Sequence, residues 1–131
     1  MSRRILRVAV LASSASALVL AFGLSAAEAT RTVRIASHIS ISNENLTFSG
    51  KVTSSNAACD SHRKVTLYRK RSQVLGSTHT NSSGRWSVTP SGFAGISLSH
   101  FYAVVSQRSE GTAGTIYVCK AATSRTTVFQ Q

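Results

Sequence analysis

Acidic residues are scarce in this chain. Four Asp and Glu stand against fifteen Lys and Arg in 131 residues, a formal charge of +11. Past Glu28 only Glu44, Asp60 and Glu110 remain, each in a different expected loop. Hydrolysis by paired carboxylates therefore has no obvious pair to use, and calcium, which takes six or more oxygen ligands, has too few donors. The four His, at 38, 62, 79 and 100, show neither H-x-H nor H-x-x-x-H spacing, so no shared metal site is expected. Cys59-Asp60-Ser61-His62 has the look of a C-x-x-H pair, but zinc needs two further ligands and no second cluster exists. Asp60-Ser61-His62 contains the residue types of a hydrolytic triad. Neighbours on one loop cannot hold the base between nucleophile and acid. A glycine-rich phosphate loop is also missing. The reading is of a protein that is not an enzyme and carries neither metal nor cofactor.

Two further shortages concern architecture. After Ala29 no apolar pattern recurs at i, i+3, i+4, which removes the usual evidence for amphipathic helices. Proline occurs once, at Pro90. The long apolar run is confined to the start. Arg3, Arg4 and Arg7 precede an apolar stretch over Val8–Leu24, and Ala27-Glu28-Ala29 supplies a small-x-small cleavage site. Residues 1–29 read as an export signal and 30–131 as one secreted domain with no membrane span once the signal is removed. A retained anchor is the rival reading, but Ser13, Ser14 and Ser16 dilute a run already near the lower limit for a spanning helix. The first 29 residues hold three Arg and one Glu, so the secreted domain keeps twelve cations against three acids, a formal +9. Such a charge attracts polyanions, although it also serves simply to keep an exported domain soluble.

Cys59 and Cys119 are the only cysteines, and in an exported chain the expectation is that they pair. Strand signals recur through the rest. Val33, Ile35, Ile39 and Ile41 share one parity, and Leu46, Phe48 and Val52 another run. Val65 and Leu67 alternate with Lys64, Thr66 and Tyr68 in a third strand, followed by Gln73–Thr80, Arg85–Thr89, Phe101–Ser106, Thr115–Ala121 and a short piece over Thr126–Phe129. Phe101–Ser106 and Thr115–Ala121 are apolar on both parities, leaving their inward faces open, and Ser91–Ser99 reads as irregular. Seven or eight short strands in about 100 residues, joined by polar turns, point to a single antiparallel β-sandwich.

Two stretches carry the functional question. Five cations fall within residues 63–71, with Lys64, Tyr68 and Lys70 expected on the solvent face of the third strand and Arg63, Arg69 and Arg71 at its ends. Cations around an aromatic suit a polyanion surface on which Tyr68 could stack. Cations on a β-strand also guard against edge-to-edge pairing, and both readings stand. The second stretch, Thr78–Val88 (THTNSSGRWSV), reads as a hairpin, with Asn81 opening the turn, Gly84 closing it at positive φ, and Trp86 pointing into the core with Val88.

Tyr117-Val118-Cys119 places a Tyr two residues before the second Cys, as immunoglobulin domains do, but Trp86 comes too late after Cys59 for that pattern. LTFSGKV (Leu46–Val52), KVTLYR (Lys64–Arg69), LGSTHTNSSGRWSV (Leu75–Val88) and FYAVV (Phe101–Val105) together resemble the transthyretin or carboxypeptidase-regulatory type of β-sandwich. With its two cysteines the chain is similar to small secreted actinobacterial proteins. The resemblance covers residues 46–105, and only the hairpin motif is fairly specific; the Pro-Gly that usually precedes the aromatic strand is missing. It implies a prealbumin-like fold in an accessory module, a stalk, spacer or adhesion domain. The expected function is a secreted, non-enzymatic interaction or structural module stapled by one disulfide. The alternative is a polyanion-binding protein that contacts a cell-envelope phosphate polymer, acidic glycan or nucleic acid through its basic strand. Another extracellular protein is the remaining partner class.

Overall fold

A computed structural model describes residues 29–70, 72–91 and 99–129. The expected signal peptide thus falls almost wholly outside the described residues, as do Arg71 and most of the stretch expected to be irregular. The protein is all-β, with several sheets, none of them closed. Among the described residues there are twelve strand segments rather than seven or eight: the first run breaks at Ala36, and β-structure also forms over Ser42–Glu44 and Arg108–Thr112, where the alternation marked no strand. They are β1 (Arg31–Ile35), β2 (Ser37–Ile39), β3 (Ser42–Glu44), β4 (Thr47–Ser54), β5 (Lys64–Arg69), β6 (Gln73–His79), β7 (Arg85–Val88), β8 (His100–Val105), β9 (Arg108–Thr112), β10 (Thr115–Cys119), β11 (Ala122–Thr123) and β12 (Thr127–Val128).

One sheet runs β11-β8-β5-β6, with β12 also on β8; a second runs β2-β4-β3, with β7 on β4. Their apolar faces meet in one core. Phe48, Val52, Trp86 and Val88 come from the second sheet, and Val65, Leu67, Phe101, Ala103 and Val105 from the first. Phe48 and Phe101 touch across it, ring centroids 4.8 Å apart. The open question of β8 is thereby answered: Phe101, Ala103 and Val105 face inward, Tyr102 and Val104 outward.

The third sheet, β1-β10-β9, departs from the antiparallel expectation. β1 pairs parallel to β10, from Arg31 opposite Thr115 to Ile35 opposite Cys119, while β9 and β10 form an antiparallel hairpin. The first apolar run is therefore shared between two sheets. It pairs with β10 as far as Ile35, turns at Ala36, and continues on β4 from Ser37. Ile35 packs with the disulfide Cys59–Cys119, Val33 and Tyr117 in a small second core, whereas Ile39 and Ile41 join the main one. The expected cysteine pairing is present, with Cα atoms 5.3 Å apart.

Two turns show how local chemistry sets this layout. Asn45 and Leu46, both at positive φ (47° and 68°), make the two-residue loop between β3 and β4. That double left-handed geometry matches strand twist. It also places Leu46 in the turn, 42% exposed, rather than in the strand as the alternation suggested. At the second turn Asn81 Oδ1 accepts hydrogen bonds from the N–H groups of Ser83 (2.9 Å) and Arg85 (3.0 Å), and Gly84 has φ +77°. The turn chemistry is as expected, but the flanking strands do not form a hairpin. β6 pairs with β5 and β7 with β4, so the loop carries the chain from one sheet to the other. Gly84 carbonyl then accepts from Val52 N–H (2.8 Å), docking the loop on β4.

Trp86 is core, 3% exposed, although its Nε1 has no partner among the described residues. It packs where Gly50, its strand partner, has no side chain. A Cβ on Gly50 would collide with the Ser40 carbonyl oxygen and lie 2.9 Å from Trp86 Nε1. Gly50→Ala is accordingly expected to destabilise by roughly 1–3 kcal/mol through overpacking. Urea melts of the two proteins measure this, and an unchanged midpoint would contradict the packing.

Candidate functional site

The basic third strand is β5, at the middle of its sheet between β8 and β6. Alternation puts Lys64, Thr66 and Tyr68 on the outer face, as expected. Cross-strand register then sets their neighbours: Lys64 lies opposite His79, Tyr68 opposite Tyr102 on one side and Val74 on the other. The rings of Tyr68 and Tyr102 stack, centroids 5.2 Å apart with 11° between planes. Val74, 59% exposed, extends this patch, and Val128, 40% exposed and opposite His100, adds an apolar side chain on the same face. An ordered aromatic pair half-open to solvent offers a flat surface to a sugar, a base or an apolar side chain.

The six candidate contact residues separate. Arg63 does not belong to the surface: it is fully buried. It shares the parity of Val65 and Leu67, which aims its side chain inward, and that parity was the signal its charge obscured. Its guanidinium donates to Cys59 O (Nη1, 2.6 Å), Ser37 Oγ (Nη1, 3.2 Å), Ser106 O (Nη2, 2.7 Å; Nε, 3.2 Å) and Lys120 O (Nη2, 3.1 Å). Burial pushes its pKa down, the nearby Arg108 adds to that, and Asp60 opposes it. Among the described residues no carboxylate ion-pairs with it; backbone carbonyls and the Ser37 hydroxyl take up its donors. Arg69 is half-buried on the inward parity, and its Nε donates to the Ser99 hydroxyl at 3.0 Å. Lys70 is exposed in the turn after β5, at φ +51°, with its N–H bonded to His100 O (2.9 Å). Arg71 lies outside the described residues. Lys64 is exposed, but four residues along a strand place it about 13 Å from Tyr68. Among the described residues, the expected ring of cations around Tyr68 reduces to Lys70 at the strand end and Lys64 further off.

Tyr102, Val74 and His100 were not foreseen. Tyr102 sits in a run apolar on both parities, where sequence alone does not tell which side faces out.

Near the disulfide, the Asp60 carboxylate accepts from Ser54 Oγ (2.6 Å), and Arg108 bonds Ala58 O, His62 O and Glu110. Arg108–Glu110 is the one ion pair among the described residues. Among those residues no group of three His, Cys, Asp or Glu could hold a metal ion, and no helix is long and apolar enough to cross a membrane. No protein family, curated protein or solved structure matches this chain.

Proposed function

We propose that the chain is a secreted, non-enzymatic interaction module: a β-sandwich of the transthyretin or carboxypeptidase-regulatory type, released after Ala29, whose contact surface is the outer face of β8-β5-β6. One observation carries this reading, the stacked Tyr68–Tyr102 pair left half-open at the centre of a sheet beside the exposed Val74. A sheet face with no partner is ordinarily polar, and aromatic residues concentrate where proteins bind. The disulfide supports an extracellular setting.

Polyanion binding is the second reading, favoured by the excess of cations over acids: past Ala29 the sequence sets three Asp and Glu against twelve Lys and Arg. Phosphate polymer, acidic glycan or nucleic acid would neutralise them, with the tyrosines stacking on rings between charges. The Tyr68→Ala, Tyr102→Ala double variant leaves net charge unchanged and separates face from bulk charge. On a heparin column it is expected to elute at lower salt than a Lys120→Ala, Arg125→Ala variant, with affinity at fixed salt down roughly tenfold, the scale of losing one ring stack. Elution that follows net charge alone would refute use of this face.

A further inference from the structure

The opposite sheet carries a second feature, unrelated to the tyrosine face. A groove of about 420 Å³ opens over β4 and its neighbours, a volume within the range of small-molecule sites. Its walls are two cross-strand rows. In one, Ser42, Ser49 and Ser87 lie side by side on β3, β4 and β7. In the other, Lys51 stands directly opposite Arg85, with Ser40 beyond Lys51. Gly50, between the rows, has the inward parity of Phe48 and Val52 and lies opposite Trp86, so backbone forms the floor between the rows. Residues 49 and 51 are two apart on one strand, which separates the rows by about 7 Å.

The Lys51–Arg85 pairing is unfavourable as it stands. Like charges directly opposite on adjacent strands repel, both side chains are exposed, and among the described residues neither meets an acid. The hydroxyls opposite are weakly committed. Ser42 and Ser49 Oγ are 3.4 Å apart, at the outer limit of a hydrogen bond, and the Ser87 hydroxyl has no partner among the described residues. No carboxylate lines the groove. Two cations on one side and three free or loosely held O–H donors on the other form a set complementary to an anion rich in acceptor oxygens.

We propose that this groove binds a tetrahedral oxyanion, a phosphate or sulfate group, with Lys51 and Arg85 supplying charge and Ser49 and Ser87 supplying hydrogen bonds. The remaining volume takes the group to which the anion is attached. Arg85 presents a planar fork suited to two oxygens of such an anion, Lys51 a point charge.

Trp86, the only tryptophan, lines the groove and pairs with its floor, so its emission reports on occupancy. Inorganic phosphate and inorganic sulfate are titrated separately into the secreted protein, against sodium chloride at matched ionic strength, with calorimetry as a second reading. A saturable response beyond chloride is expected for at least one of them. It should weaken at least tenfold in Lys51→Gln, Arg85→Gln and be unchanged in Lys120→Gln, while the double variant melts no lower than wild type because a repulsion has been removed. Comparing glycerol phosphate with dimethyl phosphate then distinguishes a terminal monoester from the diester backbone of a polymer. No saturable response by either method, or equal weakening in Lys120→Gln, would overturn the proposal. Neither result bears on the tyrosine face, whose variants lie on the other sheet.

Discussion

Arg63→Ala is expected to remove about 3–5 kcal/mol of stability, the scale seen when a buried charged network loses one member. The cause is not the lost charge. Arg63 has no acid partner, and bringing its guanidinium out of water is a cost that burial alone would not return. Stabilisation comes from what the guanidinium satisfies: the carbonyls of Cys59, Ser106 and Lys120 and the hydroxyl of Ser37, groups from four separate segments. Each buried acceptor left without a donor costs about 1–3 kcal/mol, less wherever water enters the space vacated. Arg63→Met tests this directly. It refills apolar volume, and in an ion pair such a change is often harmless because the partner can be replaced as well. Backbone carbonyls cannot be replaced, so Met is expected to rescue little. Lys, with three donors on one nitrogen, should recover only part. Lys64→Ala, one residue away but exposed, should fall within about 0.5 kcal/mol of wild type. Denaturant melts followed by circular dichroism rank the four; an Arg63→Ala midpoint equal to that of Lys64→Ala would show that the network does not hold the fold.

Arg63 also marks the limit of what sequence made legible. The cysteine pairing follows from there being only two in a chain read as exported. Alternation located β5 with its inward Val65 and Leu67 and the core roles of Phe48, Val52 and Trp86, and residue type located the turn at Asn81 and Gly84. These follow from local rules, because side-chain direction in a strand depends only on parity. Strand partnership depends on distant segments. The parallel union of β1 with β10, the bend at Ala36 and the crossing between β6 and β7 left no local mark that alternation alone would read. The same division runs through the candidate surface. Lys64 and Tyr68 were correctly turned outward, but the partner ring, Tyr102, lies on a strand whose parity was ambiguous. Arg63 was read by its charge when its position along the strand said otherwise.

Breaking the Cys59–Cys119 bridge, by reduction or as Cys59→Ser, Cys119→Ser, is expected to cost about 4 kcal/mol from the entropy of an unfolded loop of 60 residues. At roughly 4–8 °C per kcal/mol for a domain of this size, the melting temperature should fall by roughly 15–30 °C. A fall under about 5 °C would mean that the cysteines constrain little in the unfolded chain, and two free thiols by mass in the protein purified without reductant would mean that the bridge is not made at all. The two large effects should also be coupled. Arg63 holds Cys59 O at 2.6 Å and reaches toward Cys119 O at 3.4 Å, so covalent bridge and guanidinium fix the same two segments. Without the bridge those carbonyls are free to move toward water, and the penalty for leaving them unbonded falls. Arg63→Ala should therefore cost less in the bridge-free protein than in wild type, by about 0.5–3 kcal/mol, the range for residues sharing one network. Because the singly altered proteins already approach the total stability of a small domain, the cycle is best measured at low temperature by urea titration. Strict additivity of the two losses would show that Arg63 serves the strands alone and that the disulfide stands apart from it.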